Sequence, residues 1–203
     1  AKKYAIIIDE AHTAMGNEAT KDIVEALSTD EDLRNAPDFN PEEFEDQVRE
    51  MKYSTAGEDK NNRLDLCFLI NGLPIITVEM KNEGSGQDYR NGIYQYRFER
   101  NAENRMLRNC LVHFVMDNNY VFMTTKLKGE ETYFLPFNRE TINPPIEGDY
   151  PTAYMWREIW QADSLLDLLQ NFIKCCNEKG KIVTYFPRFH QLRAVRMLRE
   201  EVK

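Results

Sequence analysis

Two periods of apolar residues run along the chain, and the period marks the elements. Runs rich in β-branched and large apolar residues occur at AIII (5–8), LDLCFLI (64–70), LPIITVEM (73–80), NCLVHFVMD (109–117), YVFMTTKL (120–127) and ETYFLPF (131–137). Bounded by Asn, Gly and polar residues, such runs read as strands. Asn71-Gly72 joins two of them and predicts a hairpin. Helical spacing takes over at 17–27 and again at 41–51, where Asn40 fits an N-cap, Pro41 the first helical position and Glu43 a capping-box partner. The segment 88–106 carries Tyr89, Ile93 and Tyr96 on one stripe and predicts a helix. TAYMWREIW (152–160), DSLLDLLQNFIKCC (163–176, capped by Asp163 or Ser164) and 189–202 predict three more. Trp156 and Trp160, at i and i+4, read as anchors of a helix on a sheet.

Charges interrupt this pattern at one place. In NRLDLCFLINGLPIITVEMKN (62–82), Asp65 sits in one apolar strand and Glu79 and Lys81 in the next. A carboxylate among Leu64, Leu66 and Phe68 is costly to desolvate unless it is paired or holds a metal. Side chains alternate along a strand, so Glu79 and Lys81 share a face with Thr77 and Ile75. With a strict two-residue turn Ile70 pairs with Leu73 and Asp65 faces away from Glu79; a single bulge, plausible beside Pro74, restores a common face. On a common face the two carboxylates, with the Met80 carbonyl, offer hard oxygen ligands to Mg²⁺, and Lys81 can orient a nucleophile or stabilise developing negative charge.

Composition narrows the field. The chain has 203 residues, 42% of them hydrophobic, enough for a real core. No run reaches the roughly 18–20 apolar residues of a membrane helix and no signal-like segment precedes the first strand, which suggests a cytoplasmic protein. A net charge of −8 argues against holding nucleic acid through a global basic field. Basic residues nevertheless gather at Arg97, Arg100, Arg105 and Arg108 and over 188–203, while 22–50 is acidic. Cys67, Cys110, Cys175 and Cys176 form no metal-binding spacing and read as packing residues. His12, His113 and His190 are scattered, and His113, in an apolar strand, reads as a core histidine. The first residue is Ala, which suggests a fragment of a longer chain.

The hairpin followed by NGIYQYRFER (91–100) resembles the nuclease core of the restriction subunit of type I restriction-modification enzymes, within the PD-(D/E)xK nuclease superfamily. The resemblance continues through NCLVHFVMDNNYVFMTTKLKGEETYFLPFN, YPTAYMWREIWQADSLLDLLQNFI and FPRFHQLRAV, covering about 60–203. It implies that Asp65 and Glu79 are metal ligands and Lys81 the catalytic lysine. Gln95 matches the Gln of a Gln-x-x-x-Tyr motif that contacts DNA or the active site, although position 99 is Glu, with Tyr96 and Arg100 nearby. A further acidic residue of the superfamily would fall on Glu43 or Glu45, for which capping by Glu43 is the competing role.

Two stretches resemble parts of the ATP-driven motor of the same subunit. FPRFHQLRAV is similar to its Q-motif, which makes Gln191 the candidate for reading an adenine edge. AIIIDEAH matches a DEAH box, with Asp9 on magnesium and Glu10 activating water, yet it precedes the nuclease instead of following it. A phosphate-binding G-x-x-x-x-G-K-[ST] loop is missing, which speaks against ATP hydrolysis by this stretch. These observations converge on an α/β protein with a mixed central sheet flanked by helices in a restriction-endonuclease-like fold. The expected organisation is a DEAH-like segment at 1–39, an endonuclease domain at 40–150 and a helical bridge to the motor at 151–203. The expected activity is Mg²⁺-dependent cleavage of double-stranded DNA after ATP-driven translocation, with methyltransferase and specificity subunits as partners. The competing expectations are a catalytically silent docking piece or a remnant of the translocase.

Overall fold

The computed structural model describes residues 4–8, 64–70 and 73–202, with the side chains of 4–8 not among them. The helices expected at 17–27 and 41–51, and Asp9, Glu10, His12, Glu43 and Glu45, lie outside the described residues.

One sheet runs in the order β1 (Tyr4–Ile8), β2 (Leu66–Ile70), β3 (Leu73–Met80), β4 (Val112–Met116), β5 (Val121–Thr124), β6 (Leu135–Pro136). Every neighbouring pair is antiparallel except β3 with β4, so the sheet is mixed as expected. A parallel step needs a crossover. It is made by α1 (Tyr89–Tyr94), a π-helical continuation at Gln95–Glu99, and α2 (Arg105–Asn109). The apolar run leading into the DEAH-like box is β1, the outermost strand among the described residues, paired antiparallel to β2 from Tyr4↔Ile70 to Ile8↔Leu66.

The alternation of side chains divides the core in two. Leu66, Phe68, Ile76, Val78, Met80, Phe114 and Met116 face a large back core closed by Trp156, Trp160 and Phe189. Trp160 lies 5.1 Å from Phe68 and 6.1 Å from Phe114, centroid to centroid, so the tryptophans anchor their segment to the sheet. The front face packs Val115 against Tyr96 of the crossover, with Leu107, Leu127 and Phe134 around them. With both faces covered, β4 is buried at every position, which explains strands that read as continuous apolar runs.

The C-terminal third departs from expectation in detail. The helix expected over 163–176 is α3 (Ala162–Asp167) with a π-helical end at Leu168–Phe172, and Gln161 stands at its N-cap in place of Asp163 or Ser164. Its last residues instead form β7 (Lys174–Glu178), paired with β8 (Lys181–Tyr185) in a separate hairpin. Lys179 and Gly180 turn between them with φ of 50° and 82°, the left-handed geometry that matches strand twist. Cys175 and Cys176 are therefore exposed, whereas Cys67 and Cys110 are buried packing residues. The final helix, α4, spans Phe189–Glu201.

Candidate active site

The hairpin register decides whether the charges meet. Ile70 pairs with Leu73 and Leu69 with Pro74, but Phe68 pairs with Ile76, so Ile75 is an extra residue on β3. Pro74 has no N–H to give to a ladder, and the bulge follows it directly. Beyond it Cys67 faces Thr77 and Leu66 faces Val78, which places Asp65 across from Glu79. Ile75 itself packs on the back core instead of sharing the face of Thr77. The β2–β3 ladder stops at Leu66, and the Met80 N–H beyond it donates to Asp65 Oδ2 at 2.7 Å. The Asp65 carboxylate thus closes the strand pair and is held at the site by the backbone.

Lys81 Nζ lies 3.6 Å from Asp65 Oδ2 and 3.7 Å from Glu79 Oε2. Glu79 is 1% and Lys81 5% exposed, so the ammonium bridges two carboxylates away from bulk water. Lys81 is fixed from behind, because its N–H donates to the Met116 carbonyl at 2.8 Å and extends the β3–β4 pairing.

Arg100 is the member of the cluster to which the sequence assigned no role. Its Nε and Nη2 donate to Glu79 Oε1 at 2.9 and 2.6 Å. It gets there because the π-helical turn, with Arg100 N–H on the Gln95 carbonyl, ends in extended backbone at Arg100 (φ −99°, ψ 128°). Burial and then the Asp65 charge push the Glu79 carboxyl up to about 8, against the pull of Arg100 and Lys81. A perturbed acid beside three charged partners is a candidate functional group.

The crossover helix is seated by contacts of its own. A Cβ on Gly92 would stand 2.6 Å from Val115 Cγ1 and 3.6 Å from Glu79 Cβ, so only glycine lets α1 lie this close to the sheet beside Glu79. Asp88 caps the helix in a reciprocal box with Asn91. Asp117 Oδ2 accepts the Tyr89 N–H at 3.0 Å, while its Oδ1 accepts those of Asn119 and Tyr120 at 2.8 and 2.7 Å. Gln95, at the start of the π-helical continuation and three residues after Gly92, keeps a buried Oε1 with no hydrogen-bond partner among the described residues.

Behind the charges lies a buried polar chain. Thr77 Oγ1 is 2.7 Å from Tyr96 Oη and 2.7 Å from His113 Nδ1. Burial pushes His113 down to about 3, against the pull of a hydrogen bond to the Leu107 backbone, so the ring is neutral. The two contacts link Tyr96, Thr77 and His113 in one buried chain. His113 is a core histidine, as its strand suggested, and the chain fixes the ring of Tyr96 above β3.

Gln191 is separate from this cluster in its contacts. It is exposed at the start of α4, where its Oε1 accepts the Arg188 N–H at 2.9 Å and caps the helix.

The family described as "Type I restriction enzyme R protein N terminus" matches residues 10–132, more than half of the 203. The chain belongs to this family. A protein of Methanocaldococcus jannaschii, named as the type I restriction enzyme MjaVIIIP endonuclease subunit, is 28% identical over 150 residues, 68% of the chain and 13% of that relative. The chain thus spans a small part of the relative's length. The matched span contains Asp65, Glu79, Lys81 and Arg100, whereas the back-core supports at 153–192 lie outside it. Among the described residues no helix is long and apolar enough to cross a membrane.

The donor set suits a hard cation. Carboxylate oxygens are its ligands of choice, and those of Asp65 and Glu79 both lie within 3.7 Å of Lys81 Nζ. No group of three or more His, Cys, Asp and Glu gathers among the described residues, so Asp65 and Glu79 are the ligands available there.

Proposed function

We propose that the chain is the magnesium-dependent endonuclease domain of a type I restriction enzyme R subunit, built on a PD-(D/E)xK fold and acting on double-stranded DNA in the cytoplasm. The observation that carries this is the convergence of two carboxylates on one lysine, Nζ at 3.6 and 3.7 Å, made possible by the bulge at Ile75. Asp65 and Glu79 would hold the divalent cation, which when bound supplies polarisation of a phosphoryl oxygen and a water of lowered pKa. Lys81 orients the attacking water or stabilises the charge growing on the phosphate. Gln95 positions the strand at the helix. Asp65 is pinned by Met80 N–H, so its carboxylate is presented in a fixed place. Arg100 keeps the Glu79 carboxylate in line and offsets its charge until a cation does so.

The wider assignments follow the family. Cleavage would come after ATP-driven translocation by the rest of the subunit, with methyltransferase and specificity subunits in the complex, and Gln191 would serve the nucleotide of the motor. The divisions at 1–39, 40–150 and 151–203 are proposed on the same basis. Mn²⁺ titration by calorimetry tests the centre: the natural chain binds, Asp65→Ala does not, and Lys81→Ala binds but fails to nick plasmid. Equal Mn²⁺ binding by the natural chain and Asp65→Ala would refute the assignment.

A further inference from the structure

A second feature of α1 lies on its other flank. A cleft of about 320 Å³ opens between α1 and the segment carrying Phe134, with Arg90, Tyr94, Arg97, Phe98 and Tyr133 around its mouth. Its volume is that of a small-ligand site. Tyr94, Phe98 and Tyr133 are 55%, 53% and 72% exposed, a concentration of bare aromatic surface that folding alone does not call for. Tyr94 and Phe98 stand 4.8 Å apart, centroid to centroid. On a chain of net charge −8, no carboxylate lines this cleft among the described residues.

We propose that the cleft binds unpaired nucleotides of a nucleic-acid strand, with bases stacked on Tyr94, Phe98 and Tyr133 and phosphates met by Arg90 and Arg97. Aromatic rings with basic side chains between them form the platform that single strands use. A duplex hides the faces of its bases in its own stack, so these rings select unpaired nucleotides. Arg97 Nε donates to the Thr132 carbonyl at 2.9 Å, which fixes its guanidinium next to Tyr133 and leaves its terminal nitrogens for phosphate. Arg90 pairs with Asp88 at 2.6 Å on the surface, a type of pair weak enough to be exchanged for a phosphate. The inference rests on the proposed function only in taking DNA as the strand supplied.

The test is fluorescence anisotropy of the full chain with labelled oligothymidylate, alone and as its duplex with oligodeoxyadenylate, in EDTA so that the metal centre takes no part. The single strand should bind more tightly. Phe98→Ala and Tyr133→Ala should each weaken it by about 5- to 150-fold, the range for losing one stacked base. Arg90→Ala and Arg97→Ala should each reduce the slope of log affinity against log salt by about 0.7. The circular-dichroism spectra and melting curves of these variants should match those of the natural chain, which verifies their folding independently of the metal centre. Duplex binding as tight as single-strand binding, or aromatic variants that bind like the natural chain, would overturn the proposal; the latter result would leave the patch to a protein partner. Loss of Mn²⁺ binding in Asp65→Ala bears on the metal centre alone, so the two assignments fail separately.

Discussion

Replacing Glu79 by Gln should stabilise the fold at neutral and alkaline pH. Gln keeps the shape of the side chain and an acceptor for Arg100 but never ionises, so it imitates the protonated acid. In the folded chain Glu79 is pushed up to about 8 from an ordinary 4.5, by burial first and by Asp65 second. Between those values the folded state holds a proton that the unfolded state has released. Stability therefore falls as pH rises through the window, by about 1.4 kcal/mol per unit. The loss begins near 4.5, is complete above 8 and totals on the order of 4–5 kcal/mol. Glu79→Gln has no such loss. Urea unfolding in metal-free buffer from about pH 5 to about pH 9 should show the two stability curves diverging, with the variant ahead at alkaline pH. A variant less stable than the natural chain at pH 8 would refute the reasoning, because the Arg100 ion pair would then outweigh the desolvation of Glu79. A saturating divalent cation should narrow the gap: at 100 times its Kd it adds about 2.7 kcal/mol to the natural chain and nothing to the variant.

Other outcomes follow from the supports of the site. Gly92→Ala should destabilise by roughly 1–3 kcal/mol in spite of better helix propensity, since its Cβ would stand 2.6 Å from Val115 Cγ1; a gain in urea midpoint would contradict the close approach. Asp117→Asn leaves one acceptor oxygen for three backbone N–H groups and should cost about 1–3 kcal/mol by thermal melting, with unchanged stability counting against the anchoring of α1. His113 is pushed down to about 3, so its contribution is intact above 6.5 and is lost as pH falls toward 3; His113→Asn should flatten that acid limb by about 1.4 kcal/mol per unit in a circular-dichroism titration, whatever it does to the intercept.

The strands and the pairing of Glu79 with Lys81 on one face were legible because each is written locally. Apolar runs with turn signals marked β2 to β6, and two-residue spacing put Glu79 and Lys81 on one face. The position of Asp65 was legible only as a choice between registers, since a bulge is selected by how the strands pack and not by the residues that form it. Arg100 escaped assignment for a similar reason. It belongs to the helical stripe of Tyr89 and Tyr96 in sequence, and only the π-helical turn and the extended backbone after it return its guanidinium to Glu79. The β7–β8 hairpin was hidden because β7 is exposed at every position, so no alternating pattern interrupts the helical period that precedes it. Gly180 was the available signal. Thr77, Tyr96 and His113 lie far apart in sequence and each reads as an ordinary core position; their hydrogen bonds exist only after the sheet forms.

The bulge can be tested as the device that unites the site. Were Ile75 kept and the ladder made regular from the Ile70↔Leu73 pair, Phe68 would face Ile75 and Asp65 would face Val78, turning the aspartate toward the back core. Deleting Ile75 is different. It removes the unpaired residue and preserves every observed pair, from Leu69↔Pro74 to Leu66↔Val78, so Asp65 stays across from Glu79. The deletion forfeits the packing of a partly buried isoleucine, worth less than about 3 kcal/mol. The shortened chain should therefore fold with reduced stability and keep its stabilisation by Mn²⁺, whereas Asp65→Ala, with its hairpin intact, should lose it. A folded deletion variant that no longer responds to Mn²⁺, beside a natural chain that does, would mean that the extra residue aims the carboxylates in some way beyond register.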